Sequence, residues 1–431
     1  MNRNLGAILG TIGLGCIFGA VYLADGSGPE GPVILGIRGE YLLFALTLVG
    51  VALFHHHTLQ VSLIGLAAVL LFKFAFVPSF QLFEHLHHEW SILLNLLGLL
   101  LGFAVLAKHF EESGVPEILP KFLPDDWRGG FALLAVIFLL SSFLDNIAAA
   151  MIGGTIALVV FKGRVHLGYL AAITAASNAG GAGSVLGDTT TTMMWIDGVA
   201  AAAVVHAYVA AVPCLFFFGI FASLKQHRFQ PIQKDEVGHH RVEWARLLVV
   251  GLILAGTVAT NILLDFPAAG VWGAILIGAL FTKTPWQEIP VALKGSLFLI
   301  CLVLCASLMP VDQLPAPSWQ SAFALGFISS VFDNIPLTKL ALDQGGYDWG
   351  VLAFAVGFGG SMVWFGSSAG VALSNIFPQA KSVGGWLRHG WPVILAYVLS
   401  FFIMLALWGW HPHEPHREDR SMPAGTALTP N

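Results

Sequence analysis

The sequence predicts an all-α polytopic membrane protein made of two repeats, with broken helices and re-entrant hairpins. Hydrophobic residues make up 56% of the 431 residues and charged residues only 10%, whereas soluble domains carry about 25% charged residues. Apolar runs of about 20 residues recur along the chain, and each can cross a ~30 Å hydrocarbon core as a helix. A short motif that contains an aspartate occurs once in each half.

The same composition argues against other classes of protein. A membrane β-barrel requires segments of about ten residues with alternating polarity, whereas the apolar runs here are continuous. The net charge is −5 and there is no basic tract, so we expect no nucleic acid partner. All four cysteines lie in apolar runs, and we expect no disulfide.

The first apolar run is interpreted as a membrane span, with a cleaved signal peptide as the alternative. Residues 1–23 hold one arginine and then an apolar stretch longer than the usual signal core of about 7–15 residues, so we expect a first span or signal anchor. Further spans are expected at about 41–54, 59–77, 91–107, 131–161 (broken), 167–193 (partly hairpin), 196–222, 245–264, 268–282, 292–309, 319–342, 349–374 and 391–410.

A polar segment separates the two halves. Residues 223–246 contain five Lys or Arg residues, which places this linker in the cytoplasm by the positive-inside rule. We therefore expect a first repeat unit with scaffold helices at 24–222 and a second repeat unit at 247–410. The polar, proline-containing tail at 411–431 is predicted to be disordered. Inverted repeats are favoured because they place both motif copies at the membrane midplane, as in many secondary transporters.

The duplicated motif reads Ser-Ser-Phe-Leu-Asp-Asn-Ile at 141–147 and Ser-Ser-Val-Phe-Asp-Asn-Ile at 329–335. An aspartate near the bilayer centre costs about 2.5–3.5 kcal/mol on insertion scales, so Asp145 and Asp333 indicate a functional site. The alternative is that each aspartate only caps a buried helix start, with no transported ion. Residues 131–161 would form a helix of about 46 Å, so we expect a helix broken at the motif.

In the second copy of the motif, a proline accounts for the predicted helix break. Pro336 cannot donate a hydrogen bond to the carbonyl of Phe332, and its ring crowds that turn. The freed carbonyl is a potential cation ligand, because carboxylates and broken-helix carbonyls hold Na⁺ at mid-membrane in transporters. Competition between a cation and a proton for one carboxylate is enough to couple their opposed movements.

A glycine-rich stretch follows each motif. Residues 180–192 read Gly-Gly-Ala-Gly-Ser-Val-Leu-Gly-Asp-Thr-Thr-Thr-Thr, which makes a poor helix and predicts a re-entrant hairpin. Alternatively, the glycines only allow close helix packing, although packing does not explain Asp188 beside four threonines. In the second copy, residues 357–375, Ser367 stands where Asp188 stood.

The two copies also differ at Lys339, which aligns with Met151. Lys339 offers a second proton-binding group, or a tethered cation that stabilises an aspartate when the site is empty. The alternative is that its side chain extends toward the membrane interface.

Three motifs carry a resemblance to a known family: SNAGGAGSVLGDTTTTMMWI at 177–196, SSVFDNIPLTKLAL at 329–342 and GFGGSMVWFGSSAGVA at 357–372. With SSFLDN they resemble the NhaD-type sodium/proton antiporters of the ion transporter superfamily, which also holds citrate, dicarboxylate and arsenite carriers. The resemblance implies a scaffold domain, a mobile transport domain with two hairpins, alternating access and a homodimer.

The chain departs from that family's pattern at three places. Alanines 148–150 stand where threonines usually follow the first Asp-Asn pair, Lys339 replaces a small residue, and residues 183–185 depart from a Trp-Ser-Pro run. A cation-coupled carrier of citrate or a dicarboxylate therefore stays open as the alternative. Hydroxyls and helix N-termini suit carboxylate groups, but neither motif contains an arginine.

Histidines cluster at 55–57 and, with two glutamates, at 84–89. Their spacing suits a metal or a pH-sensing cluster, but polar loop residues at span ends are the interpretation that base rates favour. The 13 tryptophans fit interfacial belts, and no cofactor is needed to explain them.

We therefore predict an inner-membrane, multi-pass secondary transporter that exchanges Na⁺ or Li⁺ for H⁺ by alternating access, contacts membrane lipid, forms a homodimer and is not an enzyme. No resident metal is expected. The candidate ion and proton ligands are Asp145, Asn146, Ser177, Asn178, Asp188, Thr189, Thr190, Asp333, Asn334, Lys339 and Ser367.

Overall fold

The computed structural model describes residues 27–28, 31–34, 37–54, 57–233 and 241–413. The expected span at 1–23 and most of the expected disordered tail at 411–431 lie outside these residues. Three short antiparallel strands come first: β1 (Ser27–Gly28), β2 (Gly31–Ile34) and β3 (Ile37–Arg38). These strands were not predicted from the sequence. Almost all the other secondary structure described is helical, so the all-α fold class is confirmed.

Ten α-helices are described in the first half of the chain and eight in the second. The first half contains α1 (Gly39–Leu53), α2 (Thr58–Phe76), α3 (Leu82–Glu111), α4 (Val115–Phe122), α5 (Trp127–Ser141), α6 (Asn146–Val160), α7 (Leu167–Ala182), α8 (Thr189–Ile196), α9 (Ala201–Val205) and α10 (Tyr208–Phe229). The second half contains α11 (Trp244–Leu264), α12 (Pro267–Gly278), α13 (Glu288–Ser307), α14 (Trp319–Ser329), α15 (Asn334–Gln344), α16 (Trp349–Gly359), α17 (Ser368–Ile376) and α18 (Val383–Leu407).

Several of these helices are suited to a membrane. Among the described residues, six helical segments are apolar and long enough to cross a bilayer: α2, α3, α9 together with α10, α11, α13 and α18. Shorter apolar helices include α1, α5, α6, α12 and α16. The chain is therefore a multi-pass membrane protein.

The helices pack as two groups. The outer group consists of α1–α3 and α11–α13, which pack mainly on one another. The inner bundle consists of α5–α10 and α14–α18, with α7 and α16 at its centre. Every residue of α16 is buried, as is nearly every residue of α7. Because α7 is rich in alanine and glycine, neighbouring backbones can approach it closely, as small residues allow in membranes.

The aspartate motifs lie at the tips of helical hairpins, not within broken helices as the sequence analysis expected. Ile137 of α5 packs directly on Gly153 of α6, on the far side of the first motif. In the second copy, the side chain of Gln344, which ends α15, donates to the carbonyl of Pro315, which precedes α14, at 2.9 Å. Both contacts require antiparallel arms. Pro336 lies in the first turn of α15, where a missing amide hydrogen costs no helical bond.

The glycine-rich stretches interrupt two long helices, and the expectation of hairpins there was wrong. The chain leaves α7 at Ala182, and α8 starts at Thr189. The two helices touch little beyond their junction, because α7 packs on α5, α6 and α10 whereas α8 packs on α3 and α15. Helices α16 and α17 are likewise separated, with α16 on α14 and α17 on α6.

The two halves interlock through these interruptions. Helix α8 of the first half packs on α15 of the second, and α17 of the second packs on α6 of the first. Each interrupted helix thus ends against the hairpin of the other half. This exchange brings both motif copies and both glycine-rich stretches to one place.

Candidate ion-binding site

Four helices of the inner bundle begin near one another, and each has an oxygen-bearing cap. Asp145 accepts a hydrogen bond from the amide of Ile147 at the start of α6 (3.3 Å), and Asp333 from that of Ile335 at the start of α15 (3.1 Å). The caps of the other two helices, α8 and α17, are Asp188, which accepts from the Thr190 amide at 3.1 Å, and Ser367, which accepts from the Gly370 amide at 3.3 Å. Free amides and the helix dipole favour negative charge at such starts.

The three aspartates line one cavity. It has a volume of about 700 Å³ and lies between the inner bundle and helices α1, α3 and α13 of the outer group. Thr189, Thr192, Ser368 and Asn375 add oxygen atoms to its wall. Asp145 and Asp333 are half-buried, whereas Asp188 is 2% exposed. The aspartates therefore cap helices, as the alternative interpretation held, and also share a cavity.

The carboxylate of Asp188 has hydrogen bonds to only one of its two oxygen atoms within the described residues. Its Oδ1 is bonded to the Thr190 amide, but its buried Oδ2 has no hydrogen-bond partner within the described residues. The Thr190 hydroxyl is likewise buried without a partner among them. Asp188 also lies close enough to Asp145 and Asp333 to interact with both electrostatically. A buried carboxylate oxygen of this kind is costly unless a cation or a proton meets it.

A chain of amides and hydroxyls joins the interruptions to the first hairpin tip. Asn146 donates to Asn178 Oδ1 at 3.1 Å, and Asn178 donates to Ser361 Oγ at 2.9 Å. The indole of Trp386 donates to the carbonyl of Ser361 at 3.2 Å. Ser361 therefore orients Asn178, although the sequence analysis did not propose it as a site residue. Its position in the second glycine-rich stretch was the available signal.

Close backbone approach explains the glycines. A Cβ at Gly180 would collide with the carbonyl oxygen of Phe138, and one at Gly187 with that of Ser141. In the second half, Gly359 and Gly366 meet the carbonyls of Gly326 and Ser330 in the same way. The packing interpretation therefore holds for these positions, and the same backbone contact occurs twice.

Serine hydroxyls connect each hairpin to the interrupted helix of the same half by hydrogen bonds. Ser141 Oγ donates to the carbonyl of Ser177 at 2.6 Å, and Ser329 Oγ donates to that of Val356 at 2.7 Å. The Ser177 hydroxyl itself donates to the carbonyl of Thr174. Ser177 thus serves the helix contact and does not line the cavity.

The structure separates Lys339 from the other predicted site residues. Lys339 is fully buried on α15 and does not line the cavity. Its Nζ lies 3.0 Å from Glu89 Oε2 and 2.5 Å from Asp343 Oδ1. It therefore neither extends to the membrane interface nor contacts Asp333. Asn334 is buried at the start of α15, beside Asp333.

The cavity opens near the predicted linker. Its outer wall includes Lys108, Glu111 and Glu288, and Lys108 pairs with the exposed Glu111 at 2.9 Å. The next residue, Glu112, pairs with Arg246 at the start of α11 at 2.7 Å. The mouth therefore lies on the side of the chain that carries the 223–246 segment.

Residues 84–89 lie in the first turns of α3 and not in a loop, which corrects that interpretation. His85 is hydrogen-bonded to Ser307 at 2.9 Å. Within the described part of the chain, no group of three His, Cys, Asp or Glu residues has a metal-binding arrangement. His55 and His56 lie outside the described residues.

Comparison with known proteins shows what the chain is similar to. A family model described as "Citrate transporter" matches residues 41–359. The "Sodium/proton antiporter 1" of Arabidopsis thaliana is 26% identical over 64% of this chain, and the match spans about half (55%) of that relative's length. The "Na(+)/H(+) antiporter NhaD" of Halomonas elongata is 25% identical over 73% of this chain and 75% of that protein. The protein of the same name from Vibrio parahaemolyticus is 27% identical over 63% and 77%. These relatives are named as transporters, not as enzymes.

Proposed function

Because the chain belongs to the citrate transporter family of the ion transporter superfamily, we propose that it is a carrier of the inner (plasma) membrane that exchanges Na⁺ or Li⁺ for protons. The family match covers most of the chain, and several relatives carry antiporter names. The proposed ligands are Asp145, Asp188 and Asp333, with the neighbouring amides and hydroxyls of Asn146, Asn178, Asn334, Thr189 and Thr190, whereas Ser367 serves as the cap of α17.

The observation that carries this proposal is that Oδ2 of Asp188 has no hydrogen-bond partner among the described residues, and that Asp188 lines a cavity with two further aspartates. Hard carboxylate and hydroxyl oxygens suit Na⁺ and Li⁺, whereas three carboxylates repel an anion. The basic residue on the cavity wall, Lys108, lies near the mouth and is paired with Glu111. The helix starts offset part of the negative charge when the site is empty.

Exchange follows from competition for the same carboxylates. When a cation occupies the cavity, the aspartates are ionised and hold it. When the cation leaves, a proton neutralises one of them and lowers the cost of the buried charge. If the inner bundle moves relative to the outer group only when the site is loaded with a cation or a proton, inward proton movement drives outward cation movement.

The conformation described here faces the cytoplasm under this proposal. The cavity opens beside Arg246, which ends the basic linker that the positive-inside rule assigns to the cytoplasm. The other conformation would open the same aspartates to the opposite side. The two interlocked hairpins and interruptions supply the paired architecture for such an alternation.

Purified protein in liposomes that contain a pH-sensitive dye tests the proposal. Pulses of Na⁺ and Li⁺ should evoke a proton flux, and K⁺ should not. The Asp333→Asn variant should abolish the flux, whereas Asp125→Asn, an exposed carboxylate outside the cavity wall, should leave it unchanged. An equal flux from wild type and Asp333→Asn would remove Asp333 from the mechanism.

A cation-coupled citrate or dicarboxylate carrier is the second candidate. The family description and a cavity of about 700 Å³, larger than a bare cation needs, favour it. In the same liposomes, uptake of labelled citrate together with silence to Na⁺ alone would establish the carboxylate carrier instead. A proton flux evoked by Na⁺ without citrate supports the antiporter.

A further inference from the structure

A buried ion pair crosses the boundary between the two helix groups. Glu89 belongs to α3 of the outer group, and Lys339 belongs to α15 of the inner bundle. Their charged atoms are 3.0 Å apart, and the two side chains are 4% and 1% exposed. Lys339 does not line the cation cavity, so the proposed exchange site does not account for it.

Glu89 and Lys339 are both buried, so each charge is stabilised by the other. A buried lysine or glutamate is costly unless it is paired, and removing one partner leaves the other uncompensated. Any movement that carries α15 away from α3 must therefore separate two buried opposite charges. The ion pair opposes that movement.

Lys339 also pairs with a carboxylate on its own helix, which moves together with it. Asp343 lies one helical turn further along α15, and its Oδ1 is 2.5 Å from Lys339 Nζ. If α15 moves, Lys339 keeps Asp343 as a counter-ion, whereas Glu89 stays on α3 without the lysine. A proton is the simplest species that then neutralises Glu89.

We propose that the Glu89–Lys339 pair is an interdomain latch that holds the inner bundle against the outer group, and that Glu89 binds a proton each time the latch opens. This proposal rests on the proposed function only in assuming that the two groups move relative to each other. It adds a proton-binding carboxylate outside the cation cavity. Proton binding would thereby favour the movement itself.

Other charged groups face the pair from the surrounding helices. His85, one turn before Glu89 on α3, interacts electrostatically with both Glu89 and Lys339. Asp197, at the end of α8, and Asp343 act on Lys339. A test of the latch must therefore separate Glu89 from these neighbours.

Thiol labelling of a buried position near the pair reports latch opening without any transport measurement. Leu342 lies three residues beyond Lys339, on the same face of α15, and is 2% exposed. In full-length protein with the four native cysteines replaced, Leu342→Cys should react with a maleimide only when this face of α15 leaves its neighbours. Glu89→Gln, which mimics the protonated carboxylate, should raise the labelling rate about fivefold or more, the lower end of typical coupling effects.

Asp343→Asn is the matched control, because it removes the other carboxylate of the same lysine. It leaves the pair across the boundary in place and should not raise the labelling rate. Equal rates in Glu89→Gln and Asp343→Asn, or no change in either, would overturn the latch. If Glu89→Gln does not yield folded protein, Glu89→Asp, which keeps the charge with a shorter reach, should give a smaller increase over wild type.

A pH series tests proton binding by Glu89. The wild-type labelling rate, divided by that of Glu89→Gln at the same pH, should rise toward one as the pH falls. The ratio cancels the ionisation of the thiol, which both proteins share, and repeating the series with His85→Gln in both proteins removes the titration of His85. A ratio that does not change with pH would overturn the proton-binding role. Failure of Na⁺ to evoke a proton flux would count against the proposed function and not against the latch.

Discussion

The two halves of the site share a backbone arrangement but differ in charge. Each half supplies a hairpin tip with an aspartate and an interrupted helix whose glycines touch that hairpin. In the first half the interrupted helix resumes at Asp188, and in the second it resumes at Ser367. The comparison shows that close backbone approach occurs in both halves, whereas a carboxylate caps the resumed helix in the first half alone.

Replacing the carboxylate at the first interruption should have the largest effect. Asp188→Asn keeps a cap oxygen for α8 but removes the charge that the unpartnered oxygen carries. Na⁺-evoked proton flux in liposomes should fall by about 100-fold or more, in keeping with loss of a buried charged interaction. Preserved flux with wild-type Na⁺ dependence would show that the asymmetry between the halves has no role in ion binding.

Adding a methyl group at the close contacts should affect the two halves equally. Gly187→Ala and Gly366→Ala place a Cβ against the carbonyls of Ser141 and Ser330, so each should lower the free energy of unfolding by about 1–3 kcal/mol. Thermal unfolding in detergent measures this. Gly251→Ala is the control, because nothing lies within 4 Å of its added Cβ, and it should stabilise α11 slightly. A large difference between the halves would break the backbone symmetry.

Replacing the cap at the second interruption should cost stability and not transport. Ser367→Ala removes the oxygen that accepts from the Gly370 amide at 3.3 Å, so the free energy of unfolding should fall by about 1 kcal/mol. Proton flux at saturating Na⁺ should stay near the wild-type value. Loss of flux comparable to that of Asp188→Asn would mean that Ser367 binds the ion directly.

The starts of the interrupted helices offer the smallest test. Helix α7 is capped by His166, whose Nδ1 accepts from the Gly168 amide at 3.0 Å, whereas α16 is capped by Asp348. Burial, His389 and Lys225 lower the pKa of His166 below its usual 6.5. The folded state thus favours the neutral ring, and its contribution to stability is complete above pH 6.5 and declines as the pH falls below that value.

The melting temperature of the wild type should therefore drop more between pH 7.5 and 5.5 than that of His166→Asn, which keeps an acceptor at the cap but does not titrate. Identical pH profiles for the two proteins would show that the cap of α7 is insensitive to protonation.

The membrane class and the repeated aspartates could be identified from the sequence, for physical reasons. Apolar run length and composition determine the membrane class, because the bilayer sets the length that a helix needs. The repeated aspartates are visible because a carboxylate is rare in apolar sequence. The unequal halves, Asp188 against Ser367, can be read from an alignment of the chain with itself.

The sequence does not determine whether the chain turns back or continues in the same direction after each interruption. A stretch that disfavours helix looks the same whether the chain turns back or continues. This is why the hairpins and the interrupted helices were assigned the wrong way round. Only contacts such as Ile137 with Gly153 and Gln344 with Pro315 distinguish the two.

The sequence by itself determined a helical membrane protein with two related halves and three candidate aspartates. The tertiary structure decided that those aspartates share one cavity, and that Lys339 meets Glu89 across the boundary between helix groups. The physical reason is range. Hydropathy and helix-breaking residues act over one or two turns, whereas these pairings join residues far apart in the chain and depend on how whole helices pack.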